Sequence, residues 1–191
     1  MAQVYSVNAV GYINVTAPKG FSMIANQLDA GAGNNTVGKL FAGVPDGTTL
    51  YKYTGTGYVI NGYSEVLGDW DDPAMTLVPG EGAWINNPTQ AAITITFVGE
   101  VKQGALVNSI PAGFAIRSSI VPQSGQLDTV LGFPAAEGDT VYFYRNGSYQ
   151  ISAYSDALGE WDTPPVPAVG ESFWTKVSAA KDWNRQFSVN N

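Results

Sequence analysis

Apolar and polar residues alternate in short stretches along this chain. Residues 93–97 read Ile-Thr-Ile-Thr-Phe, which is the period-two pattern of a strand with one face in a core. Val-Tyr-Phe-Tyr at 141–144 and Ser-Tyr-Gln-Ile-Ser at 148–152 flank an Asn-Gly pair, and Asn and Gly both tolerate the positive φ angles of a tight hairpin turn. An apolar stripe with helical spacing is not sustained anywhere, and single helical turns are predicted only near 36–41 and 129–133. The pattern therefore predicts an all-β protein.

The chain contains the same sequence pattern twice. Residues 63–73 read Tyr-Ser-Glu-Val-Leu-Gly-Asp-Trp-Asp-Asp-Pro, and residues 154–164 read Tyr-Ser-Asp-Ala-Leu-Gly-Glu-Trp-Asp-Thr-Pro. A second match joins Pro-Lys-Gly-Phe at 18–21 to Pro-Ala-Gly-Phe at 111–114. The offset between matching residues falls only from 93 to 90, which indicates a tandem duplication with small loop deletions.

The duplication divides the chain into two domains. Each copy is about 90 residues long, and we place the first repeat at 1–97 and the second at 98–191. Short strands with turn signals at intervals of about 8 to 12 residues predict a β-sandwich or a small barrel for each copy. The stretch 94–108 between the copies is not a Pro/Gly/Ser linker. The two homologous β domains are therefore expected to abut and to be related by pseudo-symmetry.

Aromatic residues are abundant, with 10 Tyr, 8 Phe and 5 Trp, and most of the Tyr and Trp residues recur in both copies. Rings at strand positions are mainly core residues, because each one buries about 150–250 Å². Few charges and many Tyr, Trp, Asn and Gln residues also suit a surface on which sugar rings stack. On that alternative, the ligand-binding residues are Tyr58, Trp70, Tyr149 and Trp161. Trp183 has no counterpart in the first copy and is assigned to packing near the C-terminus.

Carboxylates cluster around the repeated tryptophan at position 70. The candidate metal ligands are Asp69, Asp71, Asp72 and Asp162, because Ca²⁺ takes about 6 to 8 oxygen ligands in a relaxed geometry. The spacing lacks the later acidic and glycine positions of an EF-hand loop. The alternative is that Asp71 and Asp162 bond to nearby backbone N–H groups in a turn before the following proline. Calcium is therefore a candidate cofactor and not a required one.

Glu81 and Glu171 occupy matching Gly-Glu segments that precede a strand. A pair such as Glu81 with Asp69 or Glu65 would suit a glycoside hydrolase, whose two carboxyl groups lie roughly 5–9 Å apart. Each of these acids has an acidic counterpart in the other copy, and residues kept in both copies are more often kept by folding. The protein is therefore predicted not to be an enzyme, with glycoside hydrolysis as a third hypothesis.

The composition excludes several functional classes. The chain has no Cys and no His, which excludes disulfides, thiol nucleophiles, a Ser-His-Asp triad and structural zinc sites. Because Lys and Arg number 9 against 16 Asp and Glu, the net charge is −7, which opposes binding to nucleic acid and to anionic membranes. No apolar run approaches about 18 residues, so membrane insertion is not predicted.

The two chain ends carry strand patterns similar to those at the junction between the copies. Tyr5 and Val7 lie in the segment that opens the first copy, and Phe187 and Val189 lie in the segment that closes the second. Exposed strand edges invite pairing, and a repeated head-to-tail contact produces rings or filaments. These four residues are therefore predicted to mediate end-to-end self-association. The alternative is a monomer in which both termini pair within their own domains.

Four motifs resemble those of a large group of uncharacterised secreted bacterial proteins. The motifs are Val-Asn-Ala-Val-Gly-Tyr at 7–12, Pro-x-Gly-Phe at 18–21, Pro-Gly-Glu-Gly at 79–82 and Phe-Val-Gly-Glu at 97–100. The resemblance covers nearly the whole chain and implies two β repeats behind an export signal, with an extracellular or cell-surface location. It implies no activity, cofactor or catalytic residue. The start, Met-Ala-Gln-Val, also reads like an initiator methionine before a processed secretory N-terminus.

These observations predict an exported structural or adhesive protein that assembles with copies of itself into an extracellular fibre or layer. The alternative is a carbohydrate-binding module that presents Tyr and Trp faces to a polysaccharide. Both hypotheses rest on uncharged polar surfaces and exposed strands rather than on a catalytic centre.

Overall fold

The computed structural model describes residues 9–190, and nearly all of its regular structure is β. The strands of the first repeat are β1 (Val10–Ala17), β2 (Gly20–Ile24), β3 (Thr49–Tyr53), β4 (Tyr58–Ser64), β5 (Asp69–Trp70), β6 (Ala83–Asn87) and β7 (Ile93–Glu100). The strands of the second repeat are β8 (Gly104–Ile110), β9 (Gly113–Arg117), β10 (Thr140–Arg145), β11 (Ser148–Ser155), β12 (Glu160–Trp161), β13 (Phe173–Val177) and β14 (Lys181–Phe187). A single helical turn, α1 (Val37–Leu40), lies in the first repeat.

Both repeats have the same topology. The first combines a two-stranded sheet, β1-β7, with a five-stranded sheet in the order β2-β6-β3-β4-β5. The second combines β8-β14 with a sheet in the order β9-β13-β10-β11-β12, so each strand of one repeat has its counterpart at the same place in the other. All pairings are antiparallel. The prediction of two homologous β domains is confirmed, and of its two forms the sandwich of open sheets is the one observed.

Each repeat has its own hydrophobic core between its two sheets. In the first repeat, Ile95 and Phe97 of β7 are buried while Thr94 and Thr96 are exposed, as the alternation predicts. The ring of Phe41, just after α1, meets the ring of Phe97 at 5.6 Å and 86° between planes. In the second core, Trp183 of β14 is buried and its indole N–H donates to the carbonyl oxygen of Leu131. Trp183 is therefore a core residue of the second repeat.

The predicted turns also form. Asn146 and Gly147 have φ angles of 53° and 78° and join β10 to β11, as a type I′ turn requires. The helical turn predicted at 36–41 is α1, whereas residues 126–132 form a hydrogen-bonded turn without a helix. In residues 9–190, no helix is long and apolar enough to span a bilayer.

The junction between the repeats lies slightly later than the sequence boundary. Strand β7 continues to Glu100, which pairs with Val10 in β1, and residues 101–103 then connect to β8. The boundary placed after residue 97 therefore falls inside β7. Strand pairing with β1, which the repeat alignment cannot detect, extends the first domain by these residues.

The contact between the repeats uses the same surface of each one. The backbone of Glu81 pairs with that of Arg117 in an isolated β-bridge. The matching residue Glu171 forms the same backbone β-bridge with Ile24, the counterpart of Arg117. The backbone N–H of Ser118 donates to the carbonyl of Gly80, and its symmetric equivalent joins residues 25 and 170, both bonds measuring 2.9–3.0 Å. This is an isologous contact, in which both partners contribute the same patch and the contact closes on itself.

We call this contact between the two repeats the seam, and its closure bears on the self-association hypothesis. Strand β14 pairs with β8 of its own repeat, with Phe187 opposite Gly104, and the backbone N–H of Val189 donates to the side chain of Gln103. Tyr5 and Val7 lie outside the described residues. Because an isologous contact leaves no free half, the seam cannot continue from one molecule to the next. End-to-end association remains a prediction, and it needs a different surface.

Candidate functional site

One face of each five-stranded sheet is covered with aromatic side chains. In β3, Leu50 points into the first core, so Tyr51 and Tyr53 point to the opposite face. The same alternation holds in the matching strand β10 of the second repeat. We call this surface the aromatic band; its members are Phe21, Tyr51, Tyr53, Tyr58 and Trp84, with their counterparts Phe114, Tyr142, Tyr144, Tyr149 and Trp174.

The two tryptophans of the band each reach across the seam. The ring of Trp84 contacts Tyr144 of the second repeat at 4.9 Å between centroids, and Trp174 contacts Tyr53 of the first repeat at 4.8 Å. The interplanar angles are 70° and 72°, so the edge-to-face geometry is reproduced by the pseudo-two-fold. Such pairs contribute about 0.5–1.5 kcal/mol each beyond burial. The band is therefore one surface built by both repeats, and neither repeat forms it alone.

Tyr58 and Tyr149 are the most exposed tyrosines of the band, at 46% and 51%. Tyr149 lies against Trp84 and Tyr58 against Trp174, again in matching geometry. Partial burial raises the pKa of the Tyr58 phenol, and the neighbouring phenols Tyr149 and Tyr53 add to this, while a hydrogen bond with Trp84 opposes it. Tyr58 therefore stays neutral at physiological pH and keeps its O–H as a donor.

A groove of about 430 Å³ opens on the band. Its walls come from both repeats, and they are the side chains of Phe21, Tyr51, Tyr58, Ile60, Trp84, Tyr144 and Tyr149. Ile60 is 60% exposed and adds an aliphatic side chain to the aromatic wall. The groove thus combines flat apolar rings with phenolic hydroxyl groups, and it has no charged residue in its wall.

A polar pocket lies at each end of the band, and the two pockets are related by the pseudo-two-fold. One, of about 790 Å³, includes Phe21, Tyr144, Arg145 and Glu171; the other, of about 240 Å³, includes Tyr53, Phe114, Lys52, Glu81 and Arg117. Phe21 and Tyr144 also line the central groove, so the larger pocket is continuous with it. A ligand lying along the band would therefore meet rings in the middle and polar groups at the ends.

The two repeated glutamates are held by cations of their own repeat. Glu171 accepts from Nε of Arg145 at 2.6 Å and from the backbone N–H of Ala168 at 2.9 Å, and this pairing raises the pKa of Arg145. Glu81 accepts from Nζ of Lys52 at 2.8 Å and from the backbone N–H of Val78 at 2.9 Å. Both carboxylates thus close a turn next to the seam, which gives them a structural role in each copy.

The structure places two of the predicted ligand-binding residues elsewhere. Trp70 and Trp161 are only 4% and 3% exposed and belong to the two hydrophobic cores. Strands β5 and β12 turn these side chains to the core face of the sheet, where they pack on Tyr63 and Tyr154. Their assignment as ligand-contacting residues is therefore wrong, whereas Tyr58 and Tyr149 do lie on an exposed surface.

The acidic candidates bind backbone groups. Asp71 accepts from the N–H of Gly62, and Asp162 accepts from the N–H of Ala153, each at 3.0 Å. Asp72 accepts from the backbone N–H groups of residues 74 and 75, and Asp69 from that of residue 70. Within residues 9–190, no group of three or more acidic side chains is arranged to hold a metal ion. The calcium hypothesis stays a prediction that these contacts do not support.

Eight of the ten rings of the band were not among the predicted ligand residues, although Trp84 and Trp174 recur in the sequence. Phe21 and Phe114 were signalled only by the repeated Pro-x-Gly-Phe motif, and their 48% and 44% exposure marks them as surface residues.

Comparison with protein-family models, curated proteins and solved structures finds no match. The class of this protein therefore follows from its own fold and site: a two-repeat β-sandwich protein with a symmetric aromatic surface.

Proposed function

We propose that this chain is an extracellular, adhesive carbohydrate-binding protein, and that the aromatic band holds a polysaccharide chain. The observation that carries this proposal is the exposure of Tyr58 and Tyr149, which both line a groove shared by the two repeats. The extracellular setting rests on the resemblance to secreted proteins described above.

Sugar rings suit this surface for two physical reasons. Their C–H faces pack on flat aromatic rings, while their hydroxyl groups form hydrogen bonds with phenols and with polar groups at the rim. Tyr58 and Tyr149 provide both kinds of contact, and the end pockets add amide and hydroxyl groups such as those of Asn14, Ser22 and Thr54. A long band with a polar pocket at each end favours a chain of several sugars over a single compact ligand.

A non-catalytic role is favoured by the state of the acidic residues. Glu81 and Glu171 pair with Lys52 and Arg145 and cap turns in both repeats, so each is engaged in the same structural contact. The glycosidase hypothesis needs one of these acids to be available as a proton donor or nucleophile. Binding without turnover accordingly stays the prediction for this protein.

The test is retention of the protein on insoluble cellulose, chitin and xylan. The double variant Tyr58→Ala with Tyr149→Ala is expected to lose affinity by about tenfold or more for the polysaccharide that retains the native protein, because two stacking rings are removed. Leu158→Ala is the control, since Leu158 is 70% exposed and lies outside the band. Equal retention of the double variant and the control would overturn the proposal, as would the absence of retention on all three polymers.

Self-association is the second candidate function, and a different patch favours it. Val10, Tyr12 and Val98 form an apolar end on the β1-β7 sheet, with exposures of 72%, 67% and 49%, and Tyr12 pairs directly with Val98. Single exposed apolar residues are ordinary, but an adjacent group on a two-stranded sheet is a candidate contact surface.

Light scattering at high protein concentration tests this second candidate. We expect species larger than the 20.2 kDa chain, and Tyr12→Ser is expected to shift the population toward that single chain. The variant Leu158→Ala again serves as the control. A uniform particle of one chain at all concentrations would reject self-association.

A further inference from the structure

Arg117 breaks the symmetry of the seam. Its counterpart in the first repeat is Ile24, which is fully buried. Each of the two residues is the last of its strand and forms a backbone β-bridge with the repeated glutamate of the other repeat. Since the fold is satisfied by an apolar side chain at this position in one copy, it does not require a cation in the other. The charge of Arg117 therefore calls for an explanation other than folding.

Arg117 is also the guanidinium of the two end pockets that has no carboxylate within ion-pair distance among residues 9–190. Its Nε donates to the carbonyl of Ser109 at 3.1 Å and its Nη1 to the carbonyl of Ile116 at 2.9 Å. Among residues 9–190 it forms no ion pair, whereas the other guanidinium, Arg145, is bound through two nitrogens by Glu171. Burial lowers the pKa of Arg117, and the nearby Glu81 carboxylate only partly opposes this. A guanidinium has five N–H donors and no ion pair here, so an anion from outside can accept from donors that the two carbonyl bonds leave available.

The surroundings of Arg117 form a small pocket at one end of the aromatic band. Tyr53 and Phe114 provide its aromatic walls, and Lys52 and Glu81 form an ion pair beside the guanidinium. Its volume, about 240 Å³, is below the roughly 300–1,000 Å³ of pockets that enclose whole ligands. A pocket of this size, whose aromatic walls belong to the aromatic band, is suited to one unit at the end of a bound chain.

We propose that the Arg117 pocket binds the carboxylate of an acidic sugar at one end of the glycan that lies on the aromatic band. The proposal rests on the proposed carbohydrate-binding function and adds the chemical class of the ligand. A planar guanidinium matches a planar carboxylate, and two N–H donors can engage its two oxygens. The aromatic walls would meanwhile stack on the ring that carries the acid.

The net charge of −7 favours a ligand that carries few acidic sugars. A chain with a carboxylate on every unit would be repelled by the whole protein, whereas a single carboxylate next to Arg117 is attracted locally. Charges farther away than the Debye length, about 8–10 Å at physiological salt, are largely screened. The expected ligand is therefore a mainly neutral glycan with an isolated uronic acid.

The experiment compares a xylo-oligosaccharide that carries one glucuronate with the same oligosaccharide after its carboxyl group has been reduced to an alcohol. Calorimetric titration of the native protein is expected to show about tenfold tighter binding of the acidic form. Arg117→Gln should abolish this preference without changing the affinity for the reduced form. Lys39→Gln, which removes one exposed charge on α1, should leave the preference intact.

The outcomes separate this inference from the function on which it rests. Equal binding of the two oligosaccharides by the native protein overturns the carboxylate pocket, while the carbohydrate-binding function stands. Binding of neither oligosaccharide also overturns it, and the retention assay on neutral polymers then decides the function alone. Arg117→Lys provides a second variant in case Arg117→Gln does not fold; because lysine keeps the charge without the planar fork, an intermediate preference is expected. A preference that persists unchanged in both variants overturns the assignment to Arg117.

Discussion

Replacing Lys181 with alanine is expected to lower the free energy of unfolding by about 3–5 kcal/mol, because it leaves a buried carboxylate without its cation. Asp139 is fully buried, and its Oδ2 accepts from Lys181 and from the backbone N–H of Ala136. Its other oxygen has no hydrogen-bond partner among the described residues. Urea denaturation followed by circular dichroism would measure the loss, which corresponds to a fall of roughly 6–20 °C in melting temperature for a chain of this size.

The first repeat indicates how this loss can be reversed. It has Thr48 at the position of Asp139 and Ile93 at the position of Lys181, since Ile93 pairs with Ala17 as Lys181 pairs with Ile110, so the same fold exists there without an ion pair. The hydroxyl of Thr48 donates to the carbonyl of Pro45 at 2.7 Å, and Ala136 occupies the position of Pro45 in the second repeat. Combining Lys181→Ala with Asp139→Thr is therefore expected to recover most of the stability, because no unpaired charge stays in the core.

A partly exposed Lys–Asp pair is the matched control. Lys102 and Asp29 lie 3.2 Å apart with side chains 37% and 32% exposed. Lys102→Ala is expected to cost no more than about 1 kcal/mol, since such pairs are screened by solvent and their ions stay hydrated. If Lys181→Ala and Lys102→Ala had equal effects, the core of the second repeat would not depend on neutralising Asp139.

Local patterns in the sequence predicted much of the fold. The alternation at 93–97 corresponds to β7, the Asn-Gly pair at 146–147 to the hairpin between β10 and β11, and the turn at 36–41 to α1. Each of these depends on interactions within a few residues, which is the range over which side-chain periodicity and φ preferences act. The repeat alignment then supplied the equivalence of the two domains, because duplicated sequences fold alike.

The candidate site was predicted less well, for a physical reason. Alternation separates the two faces of a strand but does not tell which face meets the core, and a repeated tryptophan can belong to either. Trp70 and Trp161 are ligand residues under the carbohydrate-binding alternative but lie in the cores, whereas Trp84 and Trp174 face the seam. Deciding between them requires knowing how the two sheets of a repeat and the two repeats pack, which depends on residues about 60 to 120 positions apart.

Symmetry of the seam was the other property that the sequence left open. Two tandem copies can meet head to tail, which continues into a filament, or face to face, which closes. The backbone bonds at Gly80 and Gly170 fix the second arrangement, because each joins a glycine of one repeat to the equivalent strand of the other. The aromatic band exists only because this closed arrangement brings Trp84 and Trp174 onto the opposite repeat.

Gly82→Ala is expected to lower the free energy of unfolding by about 1–3 kcal/mol, because the added methyl group would overfill the seam. A Cβ at Gly82 would lie 2.7 Å from Cγ2 of Ile116 and would also overlap the side chain of Ser172, both in the second repeat. Gly82 does not have a positive φ angle, so backbone strain does not contribute. Thermal unfolding should show a decrease of roughly 2–12 °C.

The control for this substitution is Gly57→Ala, at a position where an added Cβ would have no atom within 4 Å and where φ is not positive. It is expected to be neutral or to stabilise by up to about 1 kcal/mol, because alanine restricts the unfolded chain. Ser172→Gly should recover part of the loss in Gly82→Ala, while the contact with Ile116 keeps the remainder. Equal stability of the two alanine variants would mean that the repeats do not press together at Gly82. Since the groove takes its walls from both repeats, Gly82→Ala should also weaken retention on the polysaccharide, which links the packing of the seam to binding.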